Sequence, residues 1–237
     1  MRVDSTYDFA RWHSFALDRR LSVLAALAAK WRPISPDQEV PQRVSLPDFI
    51  PQALRDFYGI VSDHGTDAFV SNFGGWTGGT PVVTFHWLRR PDSLFIDDSG
   101  IVPFLNENQG VYQCGVKLTD SDPNVVTCEV EQSEWELQAD RLSDFLFVLL
   151  AFEFSSQSDY GAFGTQMPQE LPGSLIRVDF PNVAWFGRRP VSTLHGDGVI
   201  LLAIPNTDGT AYVQAGARTQ DELEALRGFG AWEYGFG

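Results

Sequence analysis

The chain has 237 residues, 43% of them hydrophobic and 13% aromatic, and its 31 acidic against 17 basic side chains give a formal net charge of −14. That apolar content excludes a disordered polymer, and folding at this length hides roughly 70% of the extended surface without staples. The charge argues against nucleic acid, which needs Lys and Arg to displace counterions, and favours a basic protein as partner.

Ser5 and Asp8 make a helix-start signal, and Leu17, Leu21, Leu24, Ala28 and Trp31 recur at helical spacing, predicting a helix over about 6–31. Arg19, Arg20 and Lys30 lie off that stripe and are expected to face solvent. Pro33, Pro36 and Pro41 mark a linker. Pro51 suits a first helical turn, and Leu54, Phe57, Tyr58 and Val61 share one face of a second helix ending near His64-Gly65. The glycine-rich 69–80 segment reads as a loop with Phe73 and Trp76 at its tip.

Strands are expected over Pro81 to Leu88, Ser93 to Ile96, Ile101 to Leu105, Val111 to Leu118 and Val125 to Glu131, with Asp97-Asp98-Ser99-Gly100 as a turn. Trp135 and Leu137 lead into a helix over about 140–153, whose Leu142, Phe145, Leu146, Leu149 and Leu150 form an apolar stripe. Residues 155–173 read as a polar connector. Beyond it come strands near Leu175 to Phe180 and Val199 to Ile204, a hairpin turn at Asn206-Thr207-Asp208-Gly209, and a strand over Ala211 to Ala215. Thr219 and Glu222 then form a capping box for a short helix stopping at Gly228.

Chemical motifs are sparse. His13, His64, His86 and His195 lack metal-ligand spacing, and Gly74 to Gly79 lacks the Gly-Lys-Ser/Thr ending of a phosphate loop, so neither metal nor cofactor is expected. His195-Gly196-Asp197 offers a base and a carboxylate for a hydrolase, but no nucleophile elbow accompanies it, and no catalytic residue is assigned. Cys114 and Cys128 read as small buried thiols on neighbouring strands. The longest apolar run, Phe145 to Phe152, is far short of the roughly 20 residues that span a bilayer, and Asp4, Asp8 and Asp18 stand where a secretory signal wants positive charge. A soluble cytoplasmic protein is the expectation. Lys30 and Lys117 are the only lysines beside many arginines, which suggests a GC-rich bacterial gene.

The window from Asp120 to Asp144 is densely acidic, with Arg141 its one cation. Asp120, Asp122, Glu129, Glu131, Glu134 and Glu136, with Trp135 or Tyr112 as an aromatic anchor, are the residues expected to meet a cationic partner; period-two alternation places Glu129 and Glu131 on one strand face. The alternative is a merely solvated surface.

Leu46-Pro47 followed by Leu54 to Tyr58, then Pro103-Phe104 before Glu107-Asn108-Gln109-Gly110, the Asp122-Pro123 turn, and the Leu142 to Glu153 helix occur in an order that resembles the SUKH superfamily (SMI/KNR-type). The resemblance spans about 44–154 and departs from the family at Cys114, where an aromatic is expected. It implies an α+β fold with a curved, mostly antiparallel sheet flanked by helices. Around that core stand an N-terminal helix and linker over 1–43 and an α+β extension over 155–237 packed on it. It also implies a non-enzymatic immunity protein that neutralises a cognate toxin, here a basic one, by direct binding. A regulatory or scaffold interaction module of the same fold is the second reading, and a hydrolase the third.

Overall fold

The structure is a computed structural model that describes residues 9–31, 45–63, 86–89, 91–107, 109–129, 134–166, 173–185, 190–229 and 232–236. Among these, helices accompany two sheets whose paired strands all run antiparallel, an α+β fold. The chain divides into two compact units, one of Leu24–Leu146 and one joining Met1–Val23 to Phe147–Gly237. The N-terminal turn therefore belongs with the C-terminal third, a grouping that differs from the linear scheme of arm, core and extension.

In the Leu24–Leu146 unit, β1 (His86–Leu88), β2 (Ile101–Glu107), β3 (Tyr112–Lys117), β4 (Val125–Glu129) and β5 (Glu136–Ala139) form a meander in chain order. The β1–β2–β3 connections show why. At the Asp97 turn, the carboxylate accepts from the amides of Ser99 (2.9 Å) and Ile101 (2.8 Å), and Gly100 takes a positive φ of 75°. Glu107 repeats the device one hairpin later, accepting from the amides of Gln109 and Val111. An acidic side chain at the head of each turn thus satisfies amides that no ladder reaches.

Helix α2 (Gln52–Asp63) buries Leu54, Phe57 and Tyr58 as its periodicity requires, and the Tyr58 hydroxyl donates to the Arg89 carbonyl at 2.7 Å. Burial pushes the Tyr58 phenol well above its ordinary range, outweighing the nearby Arg89 charge. The turn at 120–124 holds two helix N-termini. The Ser121 carbonyl accepts from the Ala53 amide at 2.9 Å, while the Asp122 carboxylate accepts from the Ser143 amide at 2.8 Å and from its hydroxyl at 2.7 Å. Ser143 lies in the first turn of α3 (Leu142–Ser156), so Asp122 satisfies an otherwise orphaned helix amide from a distant point in the chain.

In the other unit, the six strands lie in the order β11 (Trp232–Phe236), β6 (Tyr160–Gly164), β10 (Ala211–Ala217), β9 (Val199–Pro205), β8 (Val191–His195) and β7 (Ile176–Phe180). One face carries Leu194, Leu201, Ala203, Val213, Ala215 and Ala217, packed with Leu223 of α4 (Gln220–Glu224) and with Leu226 just beyond it. Against the opposite face lie Phe147, 5.3 Å from Phe180 and 5.0 Å from His195, and Phe152, 5.3 Å from Trp185. Gly216 on β10 permits this approach: a Cβ there would lie 2.7 Å from the Ser155 Cα and 3.0 Å from the Phe154 carbonyl.

Several expectations change. The first helix is broken: residues 9–14 form a 3₁₀ turn, and α1 runs Leu17–Trp31. Arg20 is buried rather than solvated, donating to the carbonyls of Phe15 (3.1 Å) and His13 (3.3 Å) with its guanidinium over the Trp12 ring. It satisfies backbone oxygens that the break exposes. Ser93 to Ile96 has no ladder partner and is not a strand, Pro91–Ser93 being a 3₁₀ turn. Helix α3 is buried around its circumference, including Phe147, Val148, Ala151 and Phe152, because nearly every position is apolar; the apolar stripe is only part of its buried surface. Strands β5, β6, β8 and β11 were not anticipated, and β6 lies inside the supposed connector. The linker prolines, the 69–80 loop and Val130 to Ser133 lie outside the described residues.

Candidate docking face

Opposed residues of an antiparallel ladder project to the same side, so the register defines the two faces of the five-stranded sheet. One face carries Leu88, Leu105 and Cys114 in one row and Val102, Val116, Val125 and Ala139 in another, all buried. Phe145 of α3 meets Phe104 at 6.1 Å in this core. The opposite, outer face carries the row Trp87, Asn106, Gln113, Cys128 and, beside it, Gly115, Val126 and Leu137. Trp87 is 38% exposed and Leu137 45% exposed.

Trp135 closes one end of this face. Its ring passes over Gly115, where an added Cβ would stand 3.2 Å from two ring carbons and would also strike the Ile101 side chain. Its indole N–H donates to the Asp97 carboxylate at 3.2 Å. A glycine in a strand often marks such a close approach. At the other end, the Arg89 guanidinium lies over the Phe95 ring, 5.6 Å from its centre, and donates to the side-chain oxygens of Asn106 (3.3 Å) and Gln113 (3.0 Å). Phe95 is 48% exposed. Among the described residues the outer face is thus an aromatic and amide surface with the Arg89 guanidinium in it.

Among the described residues, the acidic side chains singled out from the sequence fall in two places, the turn at 120–122 and the margin of the sheet at β4 and β5. Asp122 is committed to capping α3, and Asp120 accepts from the Asp122 amide at 2.8 Å to shape the same turn. Glu129 stands opposite Tyr112 and Glu136 opposite Thr127, which gives both the facing of the inner rows, exposed at the margin of the sheet. Glu134 is exposed just before β5, and Glu131 lies outside the described residues. Of the seven residues, Trp135 alone is held on the outer face. Trp87, Phe95, Arg89, Asn106 and Gln113 were missed. Their signal was weak, since alternation within a three-residue strand barely separates Trp87 from Leu88.

Among the described residues, the other histidines and the cysteines make the following contacts. His195 is on β8 rather than in a glycine turn; it is buried, stacked on Phe9 at 4.5 Å and hydrogen-bonded with Thr193 at 2.9 Å. His86 shares a 2.7 Å hydrogen bond with the Tyr112 hydroxyl, and His13 donates to the Asp179 carbonyl. Cys114 and Cys128 are free buried thiols. Their register places them on opposite faces, and burial pushes the Cys114 thiol up to about 12 despite a hydrogen bond with Thr127. Such a thiol is unreactive near neutral pH. Among the described residues no cluster of three or more His, Cys, Asp or Glu is placed to hold a metal ion, and no helix is long and apolar enough to cross a membrane.

The fold and this face define an α+β protein with one sheet whose outer face, buried at Val126 and Cys128, is partly exposed at Trp87 and Leu137. Compared with protein-family models, curated proteins and solved structures, the chain matches none.

Proposed function

We propose that this chain is a cytoplasmic, non-enzymatic immunity protein of SUKH type that neutralises a basic protein toxin by binding it, with the outer face of the five-stranded sheet as the docking surface. One observation carries the reading: among the described residues, the exposed large hydrophobic side chains, Trp87, Phe95, Ile96, Val111, Leu118 and Leu137, all belong to the Leu24–Leu146 unit. With Trp87 38% and Leu137 45% exposed on the outer face and Phe95 48% exposed beside it, each side chain forgoes part of the about 1.5–3 kcal/mol that full burial would secure. Aromatic anchors of this kind dominate protein interfaces. The net charge of −14 supplies the long-range attraction for a cationic partner, and Glu129, Glu134 and Glu136 contribute at the margin.

The test is co-expression of the toxin candidate encoded beside the gene with wild-type protein, with Trp87→Asp/Leu137→Asp, and with neither. Wild-type protein is expected to protect and the double variant to fail while remaining folded. Equal killing with and without the wild type rejects the immunity reading. Full protection by the double variant rejects this face as the docking surface.

A further inference from the structure

The outer face holds a positive charge in an unusual setting. Arg89 is half-buried, and among the described residues its guanidinium meets the two amide oxygens and the Phe95 ring but no carboxylate. Its Nε is buried without a hydrogen-bond partner. With 31 acidic residues in the chain, a counter-charge was not lacking in the sequence, yet neutral Asn106 and Gln113 stand where one would sit. A desolvated charge held only by neutral acceptors is incompletely compensated.

The surrounding hydrogen bonds decide what ligand would complete it. A guanidinium only donates, so the Asn106 and Gln113 oxygens must turn toward Arg89, and their NH₂ groups are left to face elsewhere. Both bonds leave from Nη2, so the other terminal nitrogen, Nη1, remains to donate, while the two side-chain acceptors are already occupied. Its complement is a compact group that only accepts, such as a carboxylate. Burial holds the Arg89 pKa below the ordinary arginine value, the Tyr58 neighbour opposing that shift only in part, which agrees with a charge short of counter-charge.

Resting on the reading of this face as a docking surface, we propose that Arg89 with Asn106 and Gln113 is a receptor for a single carboxylate side chain of the partner protein. A polyanion such as a nucleic-acid backbone is opposed by the net charge of −14, whereas one Asp or Glu among cationic residues is drawn in by that field. A single positive point on the outer face of an acidic chain then sets the register of docking.

A phage-displayed random peptide library panned against the full-length wild type, Arg89→Gln and Arg89→Lys tests this. Wild type is expected to enrich peptides with one Asp or Glu flanked by Lys or Arg. Those peptides should bind Arg89→Gln about 30-fold more weakly or worse, with Arg89→Lys between the two, because Lys keeps the charge but loses the fork. Should Arg89→Gln fail to fold, replacing the acidic residue of the selected peptide by its amide must produce the same loss on wild type. Enrichment of purely basic peptides, equal binding of the amide peptides, or no enrichment overturns the proposal. Because toxin protection is read separately, protection without an acidic consensus defeats this inference alone, and an acidic consensus without protection defeats only the immunity reading.

Discussion

The two sheets of this molecule solve the same problem differently. The six-stranded sheet is covered on both sides, with Leu194, Leu201, Val213 and Ala215 packed under Leu223 and Leu226 on one face and His195 and Phe180 against Phe147 on the other. The five-stranded sheet buries Leu105, Cys114, Val116 and Val125 on one face but leaves Trp87 and Leu137 in water on the other. Full coverage maximises apolar burial and yields a stable platform; the open face sacrifices part of that burial and keeps a surface available. On the function proposed above, the partly exposed face is the one left for recognition.

Paired truncations test the contrast most severely. Phe147→Ala removes a fully buried ring that meets Phe9, Trp12, Phe180 and His195, and should cost about 3–5 kcal/mol in urea unfolding followed by circular dichroism. Leu137→Ala, on the open face, should stay within about 0.5 kcal/mol. Comparable losses would show that the outer face is structural after all.

Intermediate in size is Asp122→Ala. It removes the acceptor for both the amide and the hydroxyl of Ser143, and should lower the unfolding free energy by about 1–2 kcal/mol. Little change in that measurement would return Asp122 to the pool of surface carboxylates available for docking.

The smallest effect concerns Asp179 on the edge strand β7. Burial raises its pKa, but hydrogen bonds from Ser192 and Arg177, aided by the charges of Arg177 and His13, outweigh that and leave the carboxyl below its ordinary range. Because the folded pKa lies below the unfolded one, its contribution is present above about pH 4 and is lost as pH falls through the folded value. Asp179→Asn should therefore be slightly less stable than wild type near pH 6, with the gap closing on acidification. A gap that widens at low pH would contradict the assignment.

Local chemistry made much of the fold legible. The acidic turn at Asp97, the Leu54-Phe57-Tyr58 stripe, the Asn206 to Gly209 hairpin and the Thr219 cap depend on neighbours within a few residues, and the structure contains each of them. Strand β6 was lost because Tyr160-Gly161-Ala162-Phe163-Gly164 has weak intrinsic strand preference and forms only where β10 and β11 supply ladder partners. The candidate face was less legible than the fold. A run of Glu and Asp looks continuous in sequence, but β-strand alternation and a distant helix terminus direct Glu129, Glu136 and Asp122 to different tasks.

Composition, turn residues and apolar periodicity were sufficient to determine an acidic chain whose second helix, hairpin turns and capped C-terminal helix are set by short-range interactions. Tertiary structure decided which strands pair, that Arg20 is buried against the backbone, that Gly115 makes room for Trp135, and that Arg89 meets amides instead of acids. The physical reason is that side-chain facing and charge compensation depend on ladder register and on groups brought together from remote parts of the chain, neither of which is encoded within a local window.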